Sequence, residues 1–229
     1  MKVGYFGKLP SYGDFIQRNV SPEIIKNLDN WFLQSIENSR AQIGSEWQQL
    51  YFNSPIWRFV ISQNTVCDKV LSGFMMPSVD KAGRCYPFSV ICELDAQVNP
   101  FIVARQLDAN HKQVEEFVLS LLEKQKPNLD EIQQVLDDLY SSCRDSSYYG
   151  MAHYPPCSYA EIGSIIDNDL NDLSRCNDTF LQSLLTMQKV KITLWWTSGG
   201  VGLTPRKRYF SDLPPVETFS SFLRGTEET

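Results

Sequence analysis

Histidine is almost missing from this chain: His111 and His153 are the only two in 229 residues. Neither sits near a cysteine pair, so a zinc centre lacks its ordinary ligands. The six cysteines (Cys67, Cys85, Cys92, Cys143, Cys157, Cys176) form no CxxC. They read as small apolar residues of a reducing compartment, not as a disulfide framework. No apolar run approaches the ~18 residues of a membrane span. The opening MKVGYFGKLP also lacks the apolar core of a signal peptide. These absences predict a cytoplasmic protein with no membrane insertion. Positive charge is scarce too: 21 Lys and Arg stand against 27 Asp and Glu, a net charge of −6. A nucleic-acid partner would require a basic stripe, so none is expected. No repeat, low-complexity tract or Ser/Gly linker divides the chain. A single domain over residues 1–224 is expected, with a weak seam at 144–164 and a frayed tail at 225–229.

Large rings are present in number. Aromatics make up 12% of the residues, five of them Trp, within an ordinary 42% hydrophobic content. Residues 2–6 suit a first strand. Ser21-Pro22-Glu23 reads as a helix start, with a hydroxyl cap, a first-turn proline and an acid at the dipole. Ile24, Leu28, Trp31, Phe32, Ile36 and Ile43 then recur at helical spacing until Gly44. A short helix is expected over 46–52, ended by Asn53-Ser54-Pro55. Runs at 57–62, 70–76 and 86–94 are β-branched or aromatic and closely spaced, which predicts an antiparallel meander. Helices are expected over 101–125, 129–143, 179–187 and 216–223, and strands over 190–196 and near 208–210. The fold class is α+β: a mainly antiparallel sheet of about five to six strands flanked by helices.

Several patterns invite a chemical reading. Gly7-Lys8 after a strand resembles a phosphate cradle, but Lys2 and Leu9 occupy positions that a Walker loop gives to Gly and Ser/Thr. Pro10 removes one of the N–H groups a phosphate nest uses. A tight turn is expected instead, with Gly7 and Gly13 supplying unusual backbone angles, Asp14 as a cap or ion pair, and Lys8 on the surface. SGGVG (198–202) lacks dinucleotide spacing and predicts a hairpin or an interaction loop. Arg206-Lys207-Arg208 is either a solvated turn or a dock for an acidic partner. Asp14, Arg18, Arg58, Asp80 and Arg84 lie in apolar surroundings and are expected to meet at one end of the sheet, since an unpaired buried charge is costly. They would form a salt-bridged scaffold or a pocket for an anion, and an Asp14/Asp80/Arg84 end could serve a phosphate-handling or hydrolytic enzyme. Ser11, Ser54 and Ser78 lie in no nucleophile elbow. Of Trp195 and Trp196, alternation sends one to the core. The other is either covered by a helix or exposed as a partner hot spot.

Taken together, GKLPSYGDF (7–15), SPIWRF (54–59), MPSVDKAGRCYP (76–87) and LWWTSGG (194–200) resemble the TagF/ImpM family of type VI secretion accessory proteins. LDNWFLQSIENSRAQIG (28–44) fits the same pattern. The resemblance covers roughly the first 95 residues and one patch near the C terminus. Tyr12 stands where relatives often carry a basic residue, and Cys85 replaces an aromatic. The resemblance implies a cytoplasmic, Gram-negative regulator that restrains secretion after translation by binding a forkhead-associated scaffold protein, with no enzymatic activity and no cofactor. A structural subunit of the apparatus is the alternative role. It marks Gly7, Pro10, Gly13, Asp14, Trp57, Arg58, Ser78, Asp80, Gly83, Arg84 and Pro87 as motif framework. Tyr12, Trp196 and Arg206 are the candidate partner surface.

Overall fold

The computed structural model describes residues 1–96, 98–141, 191–201 and 203–224, without the side chains of residues 107 and 109–112. The expected seam, the 179–187 helix, His153, Gly202, three of the cysteines and the tail lie outside the described residues, as does the side chain of His111.

Among the described residues, seven strands form one antiparallel sheet: β1 (Lys2–Gly7), β2 (Ile16–Arg18), β3 (Trp57–Ile61), β4 (Val70–Met76), β5 (Phe88–Leu94), β6 (Thr193–Thr197) and β7 (Arg206–Phe210). Their order is β2-β1-β5-β4-β3-β6-β7. The expected meander is present as β3-β4-β5, and β1 joins it through β5. β2 adds a strand that the sequence did not announce, because three residues carry no readable period. β5 begins after Pro87, which has no N–H to give the ladder.

Helices cover both faces, which is why the central strands read as nearly continuous apolar runs. α1 (Pro22–Ile43), α2 (Trp47–Asn53) and α5 (Phe219–Arg224) pack their rings on Phe6, Trp57, Phe59, Met75, Ile91 and Trp195. α3 (Pro100–Glu123) and α4 (Leu129–Leu139) pack on Val3, Tyr5, Val60, Phe74, Val90 and Trp196. All five indole N–H groups find acceptors. Trp31 donates to the Pro214 carbonyl, Trp57 to that of Phe222, Trp47 to Ser39, Trp195 to Thr193 and Trp196 to Asp108. A buried ring with a polar edge needs such a partner.

Helix starts differ from expectation in one place. Ser21 occupies the N-cap of α1, but its side chain makes no cap bond. Its N–H and hydroxyl instead donate to the Glu93 carboxylate, at 3.0 and 2.8 Å. Asn99 and Asn128 do cap, accepting N–H bonds at the starts of α3 and α4. α3 stops before Lys126-Pro127, as the residue ahead of a proline avoids helical backbone.

Candidate functional site

Antiparallel register brings the recurring segments to one end of the sheet. Gly7 pairs with Phe88, Met76 with Phe88, Trp57 with Met75, Arg58 with Trp196, and Thr197 with Arg206. The chain therefore leaves or enters the sheet at this end through residues 8–15, 54–56, 77–87 and 198–205. These are the turns of the four stretches quoted above, although the first and last are separated by most of the chain.

At the centre sits Asp80, 1% exposed. Its Oδ1 accepts N–H bonds from Ala82 (2.9 Å) and Arg84 (3.0 Å). Its Oδ2 accepts from Lys8 Nζ (2.9 Å) and Arg84 Nε (2.6 Å). Burial alone would raise its pKa. Hydrogen bonds from the Arg84 backbone, Lys8 and the Arg84 side chain, with the charge of Lys8, outweigh burial and hold the carboxyl well below the usual carboxylate range. Lys8 is thus buried, not superficial as expected, and its ammonium also lies over the rings of Phe15 and Tyr86. A nucleotide would have to displace Asp80 to reach it.

The surrounding framework is backbone geometry. Ser78 donates its hydroxyl to the Lys8 carbonyl at 2.7 Å, and Tyr51 both donates to the Ser78 carbonyl and accepts its N–H. Gly7 has φ 137°, and a Cβ there would stand 2.2 Å from the Pro87 carbonyl oxygen. Gly83 has φ 79° and closes the turn whose N–H returns to the Asp80 carbonyl. Gly13 departs from expectation: its φ is not positive, and a Cβ would meet open space. Its contribution is a carbonyl, which accepts Arg84 Nη2 at 2.9 Å. Pro10 lies in the turn that Tyr12 N–H closes on the Leu9 carbonyl. Asp14 is exposed and accepts the N–H of Phe15, so it caps locally and joins no ion pair in the Asp80 knot.

Arg58 belongs to a second knot. It lies on the α3 face of β3, forked onto Glu115 at 2.6 and 2.8 Å. Asp108 (3.3 Å) and the Ser198 hydroxyl (3.0 Å) complete its set. Arg18 pairs with Asp130 on α4, at 2.9 Å. The single cluster expected from the sequence is therefore divided, because strand alternation and two different helices separate its members. Arg58 demands carboxylates, and Asp108 and Glu115, two helical turns apart on α3, supply them.

The candidate partner surface also changes. Trp196 is 8% exposed, covered by α3 and bonded to Asp108 at 2.9 Å, so it is core and not a surface anchor. Tyr12 is half-buried, and its hydroxyl donates to the Pro127 carbonyl at 2.6 Å. Arg206 is half-buried at the start of edge strand β7. Glu93 is a further charge centre that the sequence motifs do not mark. At the far end of the sheet it binds Lys69 (2.8 Å), Lys2 (3.5 Å) and Ser21. Burial raises its pKa, but these bonds prevail and lower it overall.

Chemically, the Asp80 carboxylate has four donors and no room for a substrate proton. Ser78 is buried with its hydroxyl committed. The cavity among Pro55, Trp57, Pro77 and Pro87 measures about 10 Å³, one water at most. A larger groove of about 250 Å³ lies between α3 and β6–β7, walled by Phe101, Ala104, Trp196, Lys207 and Tyr209. Among the described residues no three His, Cys, Asp or Glu side chains gather as a metal would require.

Residues 4–139 match the TagF N-terminal domain, described as type VI secretion system-associated. Among solved structures, the crystal structure of PA0076 from Pseudomonas aeruginosa PAO1 is similar, with a TM-score of 0.76 and 25% identity, over 99% of this chain and 96% of that one. No curated protein matches the chain.

Proposed function

The chain belongs to the TagF N-terminal domain family of type VI secretion, and from that premise we propose that it is a cytoplasmic, non-enzymatic regulator acting by stoichiometric binding. Its partner in this reading is a forkhead-associated scaffold protein of the system, whose assembly it hinders after translation. The observation that carries the non-enzymatic part is the saturation of Asp80. A general acid or base must exchange a proton with substrate. This carboxylate already accepts four hydrogen bonds, two of them from cationic side chains, and is held ionised. Such an arrangement supports a lock that shapes a surface. A cytoplasmic site agrees with the lack, among the described residues, of any helix long and apolar enough to cross a membrane.

The test is direct. The tagged chain, expressed at native level in its parent cell, should recover the scaffold protein at near-equal amounts. Raising its level should lower the appearance of type VI substrates in the medium without changing scaffold abundance. Recovery of no secretion component, or unchanged output at both raised and zero level, would falsify the reading.

A further inference from the structure

The interior of the motif end is closed, but its outer rim is not. Phe15 is 47% exposed and is held edge-on against Tyr86, with ring centroids 4.7 Å apart. The Arg84 side chain is 62% exposed although Asp80 fixes its Nε and the Gly13 carbonyl fixes its Nη2. Lys81 stands beside it in solvent, its N–H tied to the Tyr12 carbonyl. Farther along the same end, Val201 is 84% exposed at the tip of a hairpin closed by Gly200 and Leu203. Gly200 in turn lies against Pro55.

Two properties of this rim point to its occupant. First, it presents fixed aromatic and arginine groups, the residue types that anchor protein interfaces. Second, its charge opposes that of the molecule. The chain as a whole carries −6. On the described residues of the four turns, Asp14 is the sole exposed acid, and its Oδ1 already accepts the Phe15 N–H. Lys81 and Arg84 face solvent there. Two cations around an aromatic ring are too few for a lipid surface, where stable attraction takes a larger basic cluster.

We infer that this rim docks an acidic segment of a protein partner, with a carboxylate meeting the outer edge of the Arg84 guanidinium and an apolar side chain packing on Phe15. The inference rests on the binding-protein reading above and adds the surface and its chemistry. An end-on carboxylate would complete a guanidinium whose other edges Asp80 and Gly13 already hold. Lys81 supplies longer-range attraction, which salt should weaken.

The experiment uses the full chain in its parent bacterium, with photoreactive benzoylphenylalanine in place of Phe15, or of Leu33 as the comparison site. Leu33 is 51% exposed on α1, in a segment outside the four turns. Crosslinked peptides are identified by mass spectrometry. Position 15 should yield an adduct with an Asp/Glu-rich segment of another protein, at least about fivefold above position 33. Lys81→Glu should lower that yield by about threefold or more. This variant is chosen because the Lys81 side chain makes no hydrogen bond or ion pair among the described residues, whereas Arg84→Ala also strips Asp80 of a partner. No protein adduct at 15, equal yields at 15 and 33, a lipid adduct, or indifference to Lys81→Glu overturns the inference. The identity of the crosslinked protein is a separate result. An acidic segment of a protein other than the scaffold sustains the surface and defeats the proposed partner. Scaffold recovery without an adduct at 15 does the reverse.

Discussion

Two knots of charge stand at the same end of the sheet and are built in opposite senses. In the first, one buried acid gathers two cations, Lys8 and Arg84. In the second, one nearly buried cation, Arg58, gathers two acids, Glu115 and Asp108. The first is made mostly of loop backbone and closes on itself, with Asp80 accepting two N–H groups from its own turn. The second bridges a strand to a helix and stays partly wet, since Asp108 is largely exposed. Desolvation is thus nearly complete in one and incomplete in the other. The energetic weight of a broken pair follows that difference.

The largest effect should come from Asp80→Ala. It leaves the Lys8 ammonium buried without its partner and two N–H groups without acceptors, a loss of about 3–5 kcal/mol in chemical denaturation. Adding Lys8→Met should recover part of that loss, as expected for residues that share one interaction. Strict additivity of the two substitutions would show that the bond is not the source. Arg58→Ala should cost less, about 2–3 kcal/mol, because water can reach the acids it abandons. A larger cost than that of Asp80→Ala would break the ranking by desolvation.

Acid sharpens the comparison next. The folded Asp80 carboxyl is depressed below its unfolded value, so its stabilisation is fully present above about pH 4, the unfolded aspartate range, and fades as pH falls toward the folded value. The stability gap between the wild type and Asp80→Asn should therefore be constant near neutrality and narrow below about pH 4. A gap that stays constant down to about pH 2 would contradict the geometry. The smallest effect belongs to the far end of the sheet. Lys69 is well exposed, so Lys69→Ala should cost at most about 1 kcal/mol despite the 2.8 Å bond to Glu93, and added salt should shrink it further.

The sequence disclosed these regions unequally, and the reason is distance along the chain. Asp80 and Arg84 are four residues apart within one turn, so their pairing was legible. Lys8 reads as a surface residue in the sequence because its acid lies 72 residues away. Arg58 could be seen to need partners, yet Asp108 and Glu115 sit on an amphipathic helix whose acids ordinarily face solvent. The β3-β4-β5 meander and α1 were readable from local periodicity and short connections. β2 was not, being three residues long and paired through β1. Trp195 and Trp196 show the limit of strand alternation. It separates the two rings onto opposite faces, but only tertiary packing decides that α3 covers the second. Glu93 escaped notice because a carboxylate near the end of an apolar strand reads as the strand's edge. It is instead where Lys2, Ser21 and Lys69 converge.

The bond from Lys8 to Asp80 also has a place in time. Its two ends lie just after β1 and on the β4–β5 turn, and β1 reaches β5 only by closing a loop of more than 70 residues. The β3-β4-β5 meander closes far shorter loops, and local contacts of that kind form at lower entropic cost. Loop-closure cost thus favours formation of the Asp80 turn before its lysine arrives. A contact made that late contributes little to the folding rate and most of its free energy to the barrier against unfolding. The knot acts as a latch on the lifetime of the native state. Weakening it should show first as faster opening of β1, with the speed of folding nearly unchanged.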